Sequence, residues 1–245
     1  MINKLELNAM AIDLRKSLGV DESSPIDIFS LASQIEGLSV VLYPMGENIS
    51  GICIKNPNAN LIAINSSMSY GRERFSLAHE LYHLFYDKDS SSSVSAMHMP
   101  QRDVKEKIAD EFASFFLMPY NSLRNLVKNK KGSNITDQDV IVWEQYFGIS
   151  HKAMLLRLLE DGFIDERQYE SFSENVIRKA KLLGFDDKLY VPTKCETTLG
   201  NYIQQVTKLN EKDMISSGKY EELLLDAFRS DIVYGEDEDY LEIND

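Results

Sequence analysis

The sequence predicts an α+β fold in which a small, mainly antiparallel sheet packs with helices and a mostly helical C-terminal region follows. Three observations predict it. Apolar residues near the amino terminus recur at helical spacing, and three short runs rich in Val, Ile and Leu then follow between residues 38 and 65. Two long stretches, around 70–86 and 103–118, return to the helical period.

The first helix is carried by Leu7, Met10, Ala11, Leu14 and Leu18 and stops at Gly19, a residue suited to a left-handed C-cap. Ser24-Pro25, an N-cap with proline in the first turn, predicts a second helix ending near Gly37. The short runs 38–43, 50–55 and 61–65 are separated by Pro44-Met45-Gly46 and Asn56-Pro57-Asn58 and read as strands. The last of them is expected to border a cleft and pair with an extended peptide. Residues 87–95, with their run of serines, read as loop, and Pro119 ends the helix that starts near Asp103. Residues 137–161 read as two helices joined at Phe147-Gly148-Ile149-Ser150, a helix-turn-helix pattern. Beyond Gly162 helices are expected over 173–183, 197–209 and 219–229, before the acidic run Glu236-Asp237-Glu238-Asp239. The expected division is 1–125 for the sheet and its helices, 135–165 for the helix-turn-helix-like unit, 170–234 for a helical region, and 235–245 for a disordered tail.

Composition narrows the function. The 43% hydrophobic content supports a core without staples, and no apolar run approaches the roughly 20 residues of a membrane span. The charged amphipathic amino terminus lacks the apolar centre of a secretory signal, so a cytoplasmic location is expected. Cys53 and Cys195 stand far apart, which argues against a disulfide framework and a cysteine metal site. A net charge of −13 disfavours direct nucleic-acid binding.

The chemistry concentrates in His79-Glu80-Leu81-Tyr82-His83. Histidines four apart on a helix project from one face and can reach a single Zn²⁺. Glu80 cannot share their direction but can reach water activated there, which makes it the candidate general base for peptide hydrolysis. A catalytic zinc site needs a third protein ligand, and Glu106-Lys107-Ile108-Ala109-Asp110 offers two carboxylates on one helical face. Glu106 is assigned as that ligand. Asp110 is assigned behind it, fixing the tautomer of His79. Zn²⁺ is the expected metal, with Mn²⁺ as the alternative.

At these residues the chain resembles the ImmA/IrrE family of zinc metallo-endopeptidases, through 74–83, through 106–113 (HExxH plus a gluzincin-like ExxAD pattern), and through Leu117-Met118-Pro119. Pro25-Ile26-Asp27-Ile28, Ser50-Gly51, Phe147-Gly148-Ile149-Ser150 and Arg157-Leu158 extend the likeness to about residues 5–165. Tyr82 stands where members commonly have Gly, which changes no ligand. The resemblance implies a zincin-like core over 1–125. It also implies a regulatory protease that cleaves a helix-turn-helix transcriptional repressor in a mobile-element or stress-response system. The alternative is a non-proteolytic zinc-containing module that sequesters a regulatory protein.

Tyr82, His98 and Tyr120 are further candidates for the oxyanion or the cleft, each with an ordinary packing or loop role as the competing reading. Arg72 and Arg74 are expected to pair with Glu73 or nearby acids. The 137–161 unit is expected to be a packing module rather than a DNA reader.

Overall fold

The computed structural model describes residues 3–87, 92–96, 104–130, 132 and 134–235. Helix α1 (Lys4–Ser17) opens with a capping box between Asn3 and Glu6, and α2 (Ile28–Ser33) is capped by Asp27. The expected second helix is thus shorter, because the Asp27 side chain accepts from Ser30 N while Pro25 and Ile26 lie outside the helix. Strands β1 (Leu38–Tyr43), β2 (Ile49–Ile54) and β3 (Asn60–Asn65) follow as the hydrophobic pattern predicts. Then come α3 (Tyr70–Tyr86), β4 (Ser92–Ala96), α4 (Val104–Leu117), α5 (Tyr120–Asn129), α6 (Asp137–Phe147) and α7 (His151–Glu160). The C-terminal region contributes α8 (Glu166–Phe172), α9 (Val176–Leu182), a 3₁₀ turn (Lys188–Tyr190), β5 (Thr197–Gly200), α10 (Asn201–Glu211), α11 (Ser217–Asp226) and α12 (Ser230–Tyr234).

The sheet order is β4-β2-β3-β1-β5, antiparallel throughout except for the β1–β3 pair. Two strands were not expected. β4 falls in the serine-rich run, where composition hides a strand that needs only backbone pairing on one side. β5 occupies the first residues of the expected helix 197–209, which begins only at Asn201. The expectation that 61–65 borders a cleft is corrected by the same topology: β3 has β1 on one side and β2 on the other, so its backbone groups are already paired. Ile64 in it is fully buried.

Helix α3 lies between the sheet and α4, with α1 packed against α4 and reached from α3 by the Tyr86 hydroxyl, which donates to Met10 O. One buried apolar cluster runs from Leu7 to Ile164 and takes in α1, the central strands, α3, α4, α6 and α7. No helix of the described residues is long and apolar enough to cross a membrane.

Buried arginines join elements far apart in sequence by donating to carbonyl oxygens. Arg15 donates to Phe116 O (2.7 Å), to Asp21 O (2.8 Å) and to Ser24 O. Arg157 Nη1 reaches Met118 O and Ser114 Oγ, while its Nε pairs with Asp161. Arg74 donates to Gly148 O (2.7 Å) and Ile26 O (2.6 Å), which corrects the expected pairing with Glu73. Gly148 turns left-handed at φ 63°, and a side chain there would run into the Arg74 guanidinium.

Glu73 pairs elsewhere. The segment 191–195 runs back across the start of α3, where Val191 O accepts from Tyr70 N and Lys194 N donates to Ser66 O. There Thr193 N and Oγ1 donate to Glu73 Oε1 at 3.2 and 2.8 Å, while Oε2 is buried without a hydrogen-bond partner among the described residues. Burial pushes the Glu73 carboxyl up to about 7, with the Thr193 bonds pulling partly the other way. An unfolded glutamate titrates near ~4.3, so the folded protein holds this proton to higher pH than the unfolded chain does. The stability it contributes is full below that value and is lost as pH rises through about 7. Glu73→Gln should therefore match wild type in thermal midpoint at about pH 4 and exceed it by about 5–10 °C at about pH 8.5. Melting curves across that range check this, and parallel profiles for the two proteins would exclude the titration.

Candidate metal centre

The α3 pattern works because the helix is buried on nearly every side, so His79 (5% exposed), Glu80 (0%) and His83 (1%) all point into the interior. Helix α4 approaches α3 over fully buried Ala109, Ala113 and Phe112. This close approach brings Glu106 to the histidines. Its Oε2 lies 3.3 Å from His79 Nε2 and its Oε1 3.3 Å from His83 Nε2. The two Nε2 atoms are 3.1 Å apart, and the three donors fall within 4.8 Å of one another.

The outer groups decide which atoms carry lone pairs. Asp110 Oδ1 is 2.9 Å from His79 Nδ1, so Nδ1 donates to it and Nε2 presents its lone pair to the cluster. His83 Nε2 faces the same point, and two bare nitrogens at 3.1 Å repel unless a proton or a cation lies between them. The His79–His83–Glu106 set can hold a metal ion, and its nitrogen and carboxylate chemistry fits a divalent cation such as zinc. Without a bound cation, burial opposes a charge on His79, but hydrogen bonds to Asp110 and Glu106 outweigh it and raise its pKa to about 9, so a metal would take the place of the Nε2 proton. The same histidines hold the Glu106 carboxyl well below the usual range. Burial raises Glu80, offset in part by His79 and by the nearby Ser95 hydroxyl.

Asp87, four residues after His83, is a participant that sequence reading missed because it opens the polar run. Its Oδ2 lies 3.5 Å from His83 Nδ1 and its Oδ1 3.0 Å from Lys105 Nζ. Lys55 Nζ reaches the carbonyls of His83 and Asp87 and so ties β2 to the end of α3. The i+4 spacing from the second histidine was the available signal.

The remaining candidates are not drawn into the cluster. Tyr82 is buried between the helices, its ring centroid 5.5 Å from Phe112, 5.8 Å from Tyr86 and 5.7 Å from the His83 ring, where it packs the α3–α4 seam. Tyr120 sits at the start of α5 against α1, its N–H donating to Asn8 Oδ1, in a cavity of about 250 Å³ with Lys4, Leu5, Phe115 and Asp161. His98 and the acidic end from Glu236 onward lie outside the described residues.

The α+β core and the His-His-Glu cluster together define a metallopeptidase-like protein. Residues 35–159, just over half of the chain, match the peptidase M78 family, the IrrE N-terminal-like domain, and the chain belongs to that family. No curated protein matches the sequence. Among solved structures, a Mycobacterium tuberculosis transcriptional regulator is similar at TM-score 0.46 and 16% identity, over 67% of this chain and 49% of that one. The chain thus spans about half the length of that protein.

Metal analysis of two variants separates the proposed ligand from its support. Glu106→Ala should leave the protein without stoichiometric Zn²⁺, whereas Asp110→Ala should keep one equivalent at about 10–100-fold weaker affinity. A metal-free Asp110→Ala beside a fully loaded Glu106→Ala would reverse the two roles.

Proposed function

We propose that the chain is a zinc-dependent endopeptidase that cleaves a helix-turn-helix transcriptional repressor in a mobile-element or stress-response system. The observation that carries the peptidase reading is the placement of Glu80, buried between two histidines whose ring nitrogens converge with Glu106, yet itself turned away from them against β2. A pure metal-storage or structural site has no use for an extra carboxylate in that position. Family membership supports a peptidase, and the repressor substrate rests on the likeness to the ImmA/IrrE endopeptidases.

In this reading His79, His83 and Glu106 hold the metal. When bound, zinc supplies Lewis acidity that polarises a peptide carbonyl and makes water nucleophilic near neutral pH. Glu80 accepts a proton from the attacking water and delivers it to the departing nitrogen. Asp110 keeps His79 in the tautomer with a bare Nε2. The substrate is extended along β4 rather than β3, because among the described strands β4 has β2 as its sole neighbour and its other edge is open to pairing.

Glu80→Gln keeps the size and most hydrogen bonding of the side chain but cannot take up the proton. Zinc content and repressor binding should persist, while cleavage falls by about 10²–10⁴-fold. Electrophoresis of the repressor after incubation with each protein reads the result. If the operator is released equally by wild type and Glu80→Gln, with no fragments in either, the sequestering module takes the place of the enzyme.

A further inference from the structure

The strip of sheet that Glu80 meets carries almost no side chain. Gly51 of β2 and Ser95 of β4 are cross-strand partners, and such partners face the same side of a sheet. A Cβ on Gly51 would lie 2.7 Å from Glu80 Oε1, 3.0 Å from its Cγ and 3.1 Å from its Cδ, well inside van der Waals contact. Gly51 is not among the residues with positive φ, so the glycine answers a need for space rather than for an unusual backbone. Ser95 is 3% exposed. Its hydroxyl is buried and makes no hydrogen bond among the described residues, and it stands close enough to the Glu80 carboxylate to favour that group's charged form. The pairing register shifts between Ile49 and Gly51, and there Ser50 Oγ donates to Ser95 O at 3.0 Å, pinning β4 at the level of the carboxylate. Cys53, two residues further along β2 and also buried, keeps its proton because burial and the neighbouring Glu80 push its thiol up to about 12.

We propose that Gly51 and Ser95 are positioning residues for Glu80: the missing side chain at 51 makes a niche for the carboxylate, and the buried, unsatisfied Ser95 hydroxyl donates to that carboxylate when a substrate orders β4. The proposal rests on Glu80 being the general base of a peptidase. It adds a physical link between that base and the edge strand, since whatever orders β4 also orders Ser95. A peptide pairing with the outer side of β4 therefore settles the base as it binds.

The niche is tested without any substrate by thermal unfolding of wild type, Gly51→Ala, Glu80→Ala and the double variant. Gly51→Ala should lower the midpoint by about 3–10 °C when Glu80 is present and by about 1 °C when residue 80 is alanine. An equal loss in both backgrounds, or none in either, overturns the niche. Titration with Zn²⁺ should give one equivalent, within about twofold of wild-type affinity, for Gly51→Ala and Ser95→Ala, because neither touches a ligand. A loss of zinc from either overturns a purely positioning role. In repressor cleavage, Gly51→Ala should lower kcat about 100-fold and Ser95→Ala about tenfold with KM within twofold, and Ser95→Thr should restore most of the latter loss. Full kcat in Gly51→Ala or in Ser95→Ala removes that residue from the proposal. A zinc-loaded wild type that leaves the repressor intact defeats the peptidase reading instead, while the unfolding cycle still decides the niche.

Discussion

Helix α3 must bury five acidic or basic side chains, and much of the fold is arranged to accommodate them. An unpartnered buried charge costs far more than a buried methylene gains, so each of the five needs its own answer. Glu73 takes two hydrogen bonds from Thr193, Arg74 gives its protons to backbone carbonyls, and His79 leans on Asp110. His83 faces Asp87, and Glu80 occupies the gap left by Gly51. These partners come from a C-terminal strap, the α6–α7 turn, α4, the loop after α3, and the sheet. Burial of a single polar helix thereby recruits elements spread over most of the chain.

The centre was legible from sequence where its geometry is local. His79 and His83 are one helical turn apart, and so are Glu106 and Asp110, so their shared faces follow from the helical period alone. Ala109 and Ala113, both fully buried, are small enough to let α4 come close. Asp87 obeys the same i+4 rule but stood at the start of a polar stretch and was read with the loop. Gly51 and Ser95 could not be found this way, since their meeting depends on the register of two strands 45 residues apart and on a bulge that no local pattern encodes.

Strands were legible in proportion to how much of them is buried. β1 and β3 place Val40, Leu42, Ile62 and Ile64 in the core and announce themselves as apolar runs. β4 and β5 lie at the two edges, where pairing on one side is enough and composition is free to be polar. Serine-rich and threonine-rich segments therefore read as loop or helix start until the sheet is seen. The same reasoning explains the misplaced cleft: hydrophobicity picks out interior strands, whereas a strand that can accept another chain has to be one with an open side.

The strap at 191–195 and the strand after it have an evolutionary consequence. The family likeness ends at residue 159, yet Thr193 supplies the partner of a buried carboxylate on the central helix, and β5 closes the β1 side of the sheet. Selection on the metal-binding helix is therefore felt well outside the recognisable domain. A lineage that loses or exchanges its C-terminal region must also change residue 73, or acquire a new donor and a new cover for β1, before the rest can persist alone. At these positions the C-terminal segment is bound to the history of α3.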